Sequence, residues 1–201
     1  MTDANIHPTA DVAGSASIGA GSKVWQYSHV REDARIGQNC VIGRGVYVGP
    51  AVQLGDNCKV QNYALLYEPA QLGDGVFVGP AVVFTNDQFP RAVNPDGTLK
   101  SGEDWDAVGV TVLEGAAIGA GSVCIAPVTI GRWSLVGAGS TVVKNVPDFA
   151  LVVGSPARRI GWVGRSGRRL AEESPGVWVC PVTGQHYRQL GIDELQELTG
   201  E

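Results

Sequence analysis

A six-residue period in the apolar residues constrains this chain more than any other feature. Stepping by six from Ile6, fourteen consecutive positions carry a large apolar side chain, the last of them Phe84. A second run in the same step extends from Val112 to Val142, with Cys124 at one of its positions. An amphipathic α-helix would instead repeat about every 3.6 residues. The period therefore predicts an all-β repeat protein.

A second regularity lies four residues after each apolar position, where the side chain is small or β-branched, as at Ala34, Cys40 and Val46. Glycine often follows the apolar residue directly, as in IGAGSK and VGAGST. Each hexad can thus supply a short strand and a corner, with the apolar and small side chains inward and glycine easing the turn. This pattern predicts a parallel β-helix.

Length, charge and cysteine content narrow the class of protein. With 201 residues the chain suits one sizeable domain, or one domain with an appendage, and its net charge of −5 disfavours general nucleic-acid binding. The start of the chain resembles no signal peptide, and no apolar run reaches the length of a membrane span, about 20 residues. We therefore expect no membrane insertion. The four cysteines form no CxxC pair, so we expect no metal site and a reducing, cytoplasmic location.

Several longer words carry a resemblance to a known family. They include VWQYSHV at 24–30, GVYVGP at 45–50, GVFVGPAVVFTND at 75–87 and VVGSPARRIGWV at 152–163. Together, over residues 6–190 or so, they resemble the nucleotide-sugar 3-N-acetyltransferase branch of the hexapeptide-repeat acyltransferases.

This resemblance implies a left-handed parallel β-helix with three hexads per coil, and a homotrimer with active sites between subunits. It implies acetyl-CoA as the co-substrate and a nucleotide sugar as the acceptor. The expected reaction moves acetyl to the 3-amino group of a UDP-linked 2-acetamido-3-amino-2,3-dideoxy-glucuronic acid, for bacterial surface polysaccharide synthesis.

The repeat also divides the chain into two parts. Residues 1–145 are predicted to form the β-helix, with an inserted loop at 85–111, and residues 146–201 a C-terminal arm with a β-hairpin near 177–188. The inserted loop carries Pro90 and the turn sequence NPDG. Because long irregular loops in compact proteins are usually functional or disordered, we interpret this one as a lid.

Coils of 18 residues would stack positions 18 apart at about 4.8 Å. One column then holds Glu32, Pro50, Glu68 and Asn86, and the neighbouring column holds Arg31, Gly49, Tyr67 and Thr85. Polar groups thus gather where the chain leaves the repeat, which favours a site there. The alternative is that exposed corners are simply polar.

The family branch has asparagine, not histidine, at the position of Asn86. We therefore expect Asn86 to orient the sugar amine or to donate to an oxyanion, with the proton passing to water, to the leaving thiolate or to Glu68. Arg31 suits a carboxylate or a pyrophosphate. Further predicted substrate contacts are Glu32, Tyr67, Glu68 and Arg91. The histidines His7, His29 and His186 are interpreted as structural.

The donor site is predicted separately. Pantetheine is held by backbone groups in this family, which the segment around Ala126 could supply. Lys144, Arg158 and Arg159 could meet the CoA phosphates, although a solvated basic face is an equal reading.

Three alternative functions make other demands on the sequence. A carbonic anhydrase on the same helix needs three metal-binding histidines, and the chain has no compact histidine set. A non-catalytic β-helix scaffold would need neither the inserted loop nor the polar columns. A dTDP-linked 3-amino-deoxyhexose as the acceptor stays open.

Overall fold

A computed structural model describes residues 3–198 as a triangular prism of short parallel strands, followed by a small antiparallel sheet. Each face of the prism is one sheet whose strands come from successive coils. No helix in this part of the chain has the length and hydropathy needed to cross a membrane.

The first face consists of β1 (Asn5–Ile6), β4 (Lys23–Val24), β7 (Val41–Ile42), β10 (Lys59–Val60), β13 (Phe77–Val78), β16 (Ala117–Ile118), β19 (Leu135–Val136), β21 (Ala150–Val153) and β22 (Arg158–Trp162). The second face consists of β2 (Asp11–Val12), β5 (His29–Val30), β8 (Tyr47–Val48), β11 (Leu65–Leu66), β14 (Val83–Phe84), β17 (Val123–Cys124) and β20 (Thr141–Val142). The third face consists of β3 (Ser17–Ile18), β6 (Arg35–Ile36), β9 (Gln53–Leu54), β12 (Gln71–Leu72), β15 (Val110–Val112) and β18 (Val128–Ile130). The C-terminal sheet consists of β23 (Ala171–Ser174), β24 (Val177–Val179), β25 (His186–Gly191) and β26 (Glu194–Glu197).

The pairing register confirms the predicted coil. Ile6 pairs with Val24, and Val30 pairs with Val48, so each coil returns to the same face after 18 residues. From Val24 onward the predicted period-six residues form the core of the prism, because their side chains point toward its axis, whereas Ile6 in the first coil is exposed. Leu66 and Phe84, for example, are fully buried.

The small inward positions explain why serine is tolerated inside the prism. Ser22 and Ser28 are fully buried, and each hydroxyl donates to a glycine carbonyl of the next coil at 2.8 Å. A buried hydroxyl costs little once it is hydrogen-bonded. Cys40 and Cys58 occupy the same kind of position and are buried free thiols.

Most corners are turned by one residue in the left-handed region of φ, three positions after the apolar residue. Glycine takes this role at some corners, but Asn39, Asn57 and Trp133 adopt it with φ of 54°, 59° and 55°. Such values are uncommon for residues with a Cβ atom, although asparagine accepts them more readily. The regular stacking of the coils holds these residues in place.

The inserted loop leaves the second face after Phe84 and is closed by a hydrogen bond of 2.9 Å from the Val108 amide to the Asn86 carbonyl oxygen. We call residues 87–107 the excursion. Within it, Asn94 and Thr98 form the turn that the NPDG sequence predicts, flanked by a bridge between Val93 and Leu99. Strand pairing resumes at Val110.

The parallel ladder of the first face runs on past residue 145. β21 pairs in parallel with β19, and β22 then folds back antiparallel along it. Residues 177–188 lie in the four-stranded sheet, where β24 pairs with β25. Tyr187 joins this sheet to the prism, because its ring is buried and packs 5.3 Å from that of Phe149.

Candidate active site

The corner that follows the second face collects half of the predicted site residues in one line. Phe84 pairs with Cys124, and Cys124 with Val142, so Asn86, Ala126 and Lys144 occupy successive coils of one column. Glu68 continues that column on the preceding coil, and Glu32 lies two coils further back with Pro50 between them, at about 4.8 Å per coil. We call this line the corner column. Residues predicted for the acceptor site, such as Glu68 and Asn86, thus share one edge of the prism with Ala126 and Lys144, which were predicted for the donor site.

Arg31 and Glu32 form an ion pair at the acidic end of this edge. Nε of Arg31 donates to a carboxylate oxygen of Glu32 at 2.8 Å. This hydrogen bond and the charge of Glu32 raise the pKa of Arg31. The pKa of Glu32 is lowered by a hydrogen bond from its own backbone amide to the carboxylate and by the hydrogen bond from Arg31. Because Glu32 accepts only from Nε of Arg31, the two terminal nitrogens of the guanidinium fork remain for a ligand anion.

An aromatic ladder runs beside the ion pair on the second face. The ring of Tyr47 packs 5.0 Å from that of Tyr67 and 5.7 Å from that of His29. Burial, followed by the nearby charge of Glu68, raises the pKa of Tyr47. The sequence analysis missed Tyr47, although counting 18 residues back from Leu65, or on from His29, would have found it.

Glu68 differs from the other carboxylates of this edge. Its oxygen Oε2 is buried and has no hydrogen-bond partner among residues 3–198. The carboxylate lies over Gly49 on the preceding coil, where an added Cβ atom would sit 2.5 Å from Oε2.

At the next coil, backbone bonds and one hydroxyl fix the half-buried Asn86 and its neighbours. The Thr85 amide donates to the Cys124 carbonyl oxygen at 3.0 Å, and the Ala126 amide donates to the Thr85 hydroxyl at 3.0 Å. Ala126 is itself buried. Because its amide is satisfied within the chain, only its carbonyl oxygen is left to offer to a ligand.

Lys144, Arg158 and Arg159 line one groove of about 250 Å³ at the C-terminal end of the prism, together with Asp193. Arg159 is held there, since Nε lies 3.2 Å from Oδ1 of Asp193 and its guanidinium stacks 4.2 Å above the ring of Trp162. Lys144 and Arg158 are the freer cations of this groove.

The remaining predicted residues lie elsewhere. Arg91 lies in the excursion, donates to the Pro90 carbonyl oxygen at 2.8 Å, and lines a cavity with Trp105 rather than the corner column. Of the histidines, His29 lies 3.6 Å from the carboxylate of Asp11.

The other two histidines also have partners outside the corner column. His7 contacts the hydroxyl of Thr9 at 3.0 Å, and His186 lies 3.2 Å from Glu173 in the C-terminal sheet. Within residues 3–198, no three or more His, Cys, Asp or Glu side chains are grouped to hold a metal ion.

Two family models match the repeat. "Bacterial transferase hexapeptide (six repeats)" matches residues 15–50 and 33–67, and "Hexapeptide repeat of succinyl-transferase" matches residues 109–144. The two matches lie on either side of the excursion, which is therefore an insertion into a known repeat.

Curated relatives align with the prism. The chain is 35% identical over 157 residues to the bifunctional protein GlmU of Alkalilimnicola ehrlichii, covering 76% of this chain and 33% of GlmU. It is 52% identical over 52 residues to the dTDP-3-amino-3,6-dideoxy-alpha-D-galactopyranose 3-N-acetyltransferase of Aneurinibacillus thermoaerophilus, covering 26% of this chain and 27% of that protein. The chain thus spans about a third or less of the length of these relatives.

Solved structures share the architecture. LpxA from Bacteroides fragilis, a UDP-N-acetylglucosamine acyltransferase, superposes with a TM-score of 0.64 at 16% identity, covering 80% of this chain and 62% of LpxA. A histidine-to-asparagine mutant of perosamine N-acetyltransferase from Caulobacter crescentus, solved with CoA and GDP-perosamine, superposes with a TM-score of 0.50 at 28% identity, covering 80% and 57%. The repeat, the three-faced prism and these matches together identify the chain as a member of the hexapeptide-repeat transferase family with the left-handed parallel β-helix fold.

Proposed function

We propose that this protein is an N-acetyltransferase that moves acetyl from acetyl-CoA to an amino group of a nucleotide-linked sugar. The observation that carries the proposal is the corner column, in which Asn86 lies between the half-buried Glu68 and the basic groove beyond Ala126. An amine acceptor suits the carboxylate side, and the phosphates of CoA suit the basic side. Both similar sugar N-acetyltransferases favour this chemistry.

For the acceptor we propose a UDP-linked 2-acetamido-3-amino-2,3-dideoxy-glucuronic acid, used in bacterial surface polysaccharide synthesis. The part of the Arg31 fork that Glu32 leaves free suits the sugar carboxylate or the pyrophosphate. A second candidate is a dTDP-linked 3-amino-deoxyhexose, which the local 52% identity to the Aneurinibacillus enzyme favours. Assaying both acceptors with acetyl-CoA distinguishes them.

The chain's own residues would act in the acetyl transfer as follows. The neutral amine attacks the thioester carbonyl, and negative charge develops on its oxygen. A side-chain amide N–H of Asn86 is the donor we assign to that oxyanion, and the bond from the Val108 amide to the backbone carbonyl oxygen of Asn86 fixes the main chain that carries it. Collapse of the intermediate forms the amide bond, breaks the C–S bond and releases the CoA thiolate. The thiolate takes one proton from the positively charged nitrogen, which keeps the single hydrogen of the product amide.

We also propose a homotrimer with its sites between subunits, working in the cytoplasm. The prism carries aromatic side chains that stay exposed within residues 3–198, among them Trp25 at 45% and Tyr27 at 62%, although Arg44 stacks on the Tyr27 ring. A neighbouring subunit would cover such residues. The four free cysteines are consistent with a reducing compartment.

The proposal is tested by Asn86→Ala in an acetyl-transfer assay with acetyl-CoA and a panel of nucleotide amino sugars. Losing one oxyanion donor should lower kcat by about 100-fold or more. CoA should still raise the melting temperature of the variant, as it does that of the natural protein, because the donor side is unchanged. Near-normal turnover of the variant would remove Asn86 from the mechanism, and a natural protein that CoA does not stabilise would favour a non-catalytic scaffold.

A further inference from the structure

The excursion encloses a cavity between its outgoing and its returning arm. This cavity has a volume of about 340 Å³, and its lining includes Phe89 on the outgoing arm and Lys100, Trp105 and Asp106 on the returning arm. A second cavity of about 430 Å³ adjoins it, since Lys100 and Trp105 line both. The excursion is therefore a folded unit with room inside it, and the acetyl transfer described above uses none of these side chains.

Backbone hydrogen bonds join the two arms on either side of this space. The Lys100 amide donates to the Ala92 carbonyl oxygen at 3.0 Å, and the Val108 amide donates to the Asn86 carbonyl oxygen at 2.9 Å. Asp87 and Val108 both line the cavity of 340 Å³ and are the neighbours of Asn86 in sequence and in space. A ligand in this cavity would therefore lie beside the corner column.

The charge of the excursion favours the uncharged part of a nucleotide sugar. Residues 87–107 carry five acidic and two basic side chains. Such a surplus of negative charge disfavours phosphate groups. The base of the nucleotide is neutral, and it is planar with donors and acceptors along its edge. The base is thus the part of the acceptor that this cavity suits.

Two aromatic rings line the cavity from opposite arms. Phe89 is 75% exposed, and Trp105 is half-buried. Within residues 3–198 neither ring packs on another aromatic ring. Exposed aromatic rings are the surfaces on which nucleobases stack. The rings of Phe89 and Trp105 therefore remain for a planar ligand.

The carboxylates of the lining differ in what they already bind. Asp87 accepts from the Phe89 amide at 2.8 Å. The Ser101 amide and hydroxyl donate to Asp104 at 2.8 and 2.9 Å, and they lower the pKa of that carboxyl. Asp106 also lines the cavity but accepts no hydrogen bond from any residue in 3–198. Its carboxylate is thus the acceptor that is left for a donor on a base.

We propose that this cavity binds the uracil or thymine base of the acceptor, with Trp105 stacked on the ring and Asp106 accepting from its N3–H group. The inference rests on the proposed function and assigns the part of the nucleotide sugar that the corner column does not hold. Both bases carry the same imide edge, with N–H between two carbonyl groups. Cytosine has a lone pair instead of a proton at N3, so the site discriminates against it.

The binding test uses UDP, dTDP and CDP in isothermal titration calorimetry. CDP has the ribose and the diphosphate of UDP and differs from it only along the edge of the base. The natural protein should bind the better of UDP and dTDP at least about tenfold more tightly than CDP, because the hydrogen bond to Asp106 is charged. Asp106→Asn should lose this preference, since a carboxamide can also donate to N3 of cytosine.

Glu103→Gln is the matched control for that change. It removes one negative charge from the same exposed arm, at a residue that lines neither cavity, and it should keep the preference. A natural protein that binds CDP as tightly as UDP and dTDP would overturn the inference, whether or not it transfers acetyl.

The stacking role of Trp105 is tested by two substitutions. Trp105→Ala should weaken UDP binding about tenfold, and Trp105→Phe should restore most of the affinity because it keeps a ring. In the acetyl-transfer assay, Trp105→Ala should raise KM for the nucleotide sugar and leave KM for acetyl-CoA unchanged. Equal weakening of UDP binding by both substitutions would identify Trp105 as a structural residue and overturn its stacking role.

Failure of this inference and failure of the proposed function give different results. A protein that prefers UDP or dTDP through Asp106 but transfers no acetyl would refute the acetyltransferase assignment and keep the base site. An active acetyltransferase whose nucleotide affinity is indifferent to Trp105 and Asp106 would refute the base site alone.

Discussion

At the scale of single residues, the identity of one position is set by another on the neighbouring coil. Gly49 is an example, since its backbone conformation does not demand glycine but its surroundings do. Two of the atoms that an added Cβ would meet belong to backbone, the Glu68 nitrogen at 2.9 Å and the Leu66 carbonyl oxygen at 3.1 Å. Backbone atoms inside a stacked ladder cannot turn aside, so the position tolerates no larger side chain.

Gly49→Ala should therefore lower the free energy of unfolding by about 1–3 kcal/mol, as overpacking does. It should also lower acetyl transfer by displacing the Glu68 carboxylate. Gly14→Ala is the matched control, because nothing lies within 4 Å of its Cβ position and its φ is not left-handed. Chemical denaturation of both variants measures the difference, and equal stability would show that the corner at Gly49 can yield.

At the scale of elements, the excursion is separable from the prism. Its two ends meet through the bond from the Val108 amide to the Asn86 carbonyl oxygen, and the ladder on either side is unbroken. Its apolar side chains are exposed, with Phe89 at 75% and Leu99 at 80%. Such exposure adds nothing to the core and suits a segment that covers a substrate.

Replacing residues 87–107 by Gly-Ser-Gly should leave the melting temperature within a few degrees, because the core of the prism is untouched. If the excursion acts as the lid that we predict, turnover should fall strongly, since water would then reach the corner column. Differential scanning calorimetry and the acetyl-transfer assay read the two effects. Full activity in the shortened protein would mean that the excursion is not a lid.

At the scale of the whole molecule, the corner column is polarised along the axis of the prism. The carboxylates of Glu32 and Glu68 lie toward one end of the column. The cations Lys144 and Arg158 lie toward the other end, beyond Ala126, where they line the groove. This gradient suits a substrate amine at one end and CoA phosphates at the other. Arg159 is held by Asp193 and Trp162 and contributes less free charge.

Replacing Lys144 and Arg158 together by glutamine should weaken CoA binding about tenfold at low salt and flatten its dependence on ionic strength. Nucleotide-sugar affinity should not change. Calorimetric titration of CoA at several salt concentrations measures this. The double change of Arg168, just before the C-terminal sheet, and Arg188, within it, to glutamine removes the same charge from exposed positions and serves as the control. Indifference to both pairs would exclude a phosphate site in the groove.

The six-residue period of the sequence determined the strands and the core from Val24 onward, and with the three-hexad coil that the family resemblance implied it also aligned Glu32, Glu68 and Asn86. It could do so because a β-helix is nearly one-dimensional, so that residues one period apart in sequence are neighbours in space. Counting by 18 residues also places Tyr47 on the face beside the corner column, although the sequence analysis did not identify it.

Only the tertiary structure decided how the column continues past the excursion. The insertion breaks the count, so the pairing of Phe84 with Cys124, which brings Ala126 and Lys144 onto the column, depends on where the chain returns. Side-chain partners were likewise decided in space. Arg31 pairs with Glu32 and leaves Glu68 unpaired, while the C-terminal sheet brings Asp193 to Arg159, because such contacts depend on rotamers and on packing between distant segments rather than on a period.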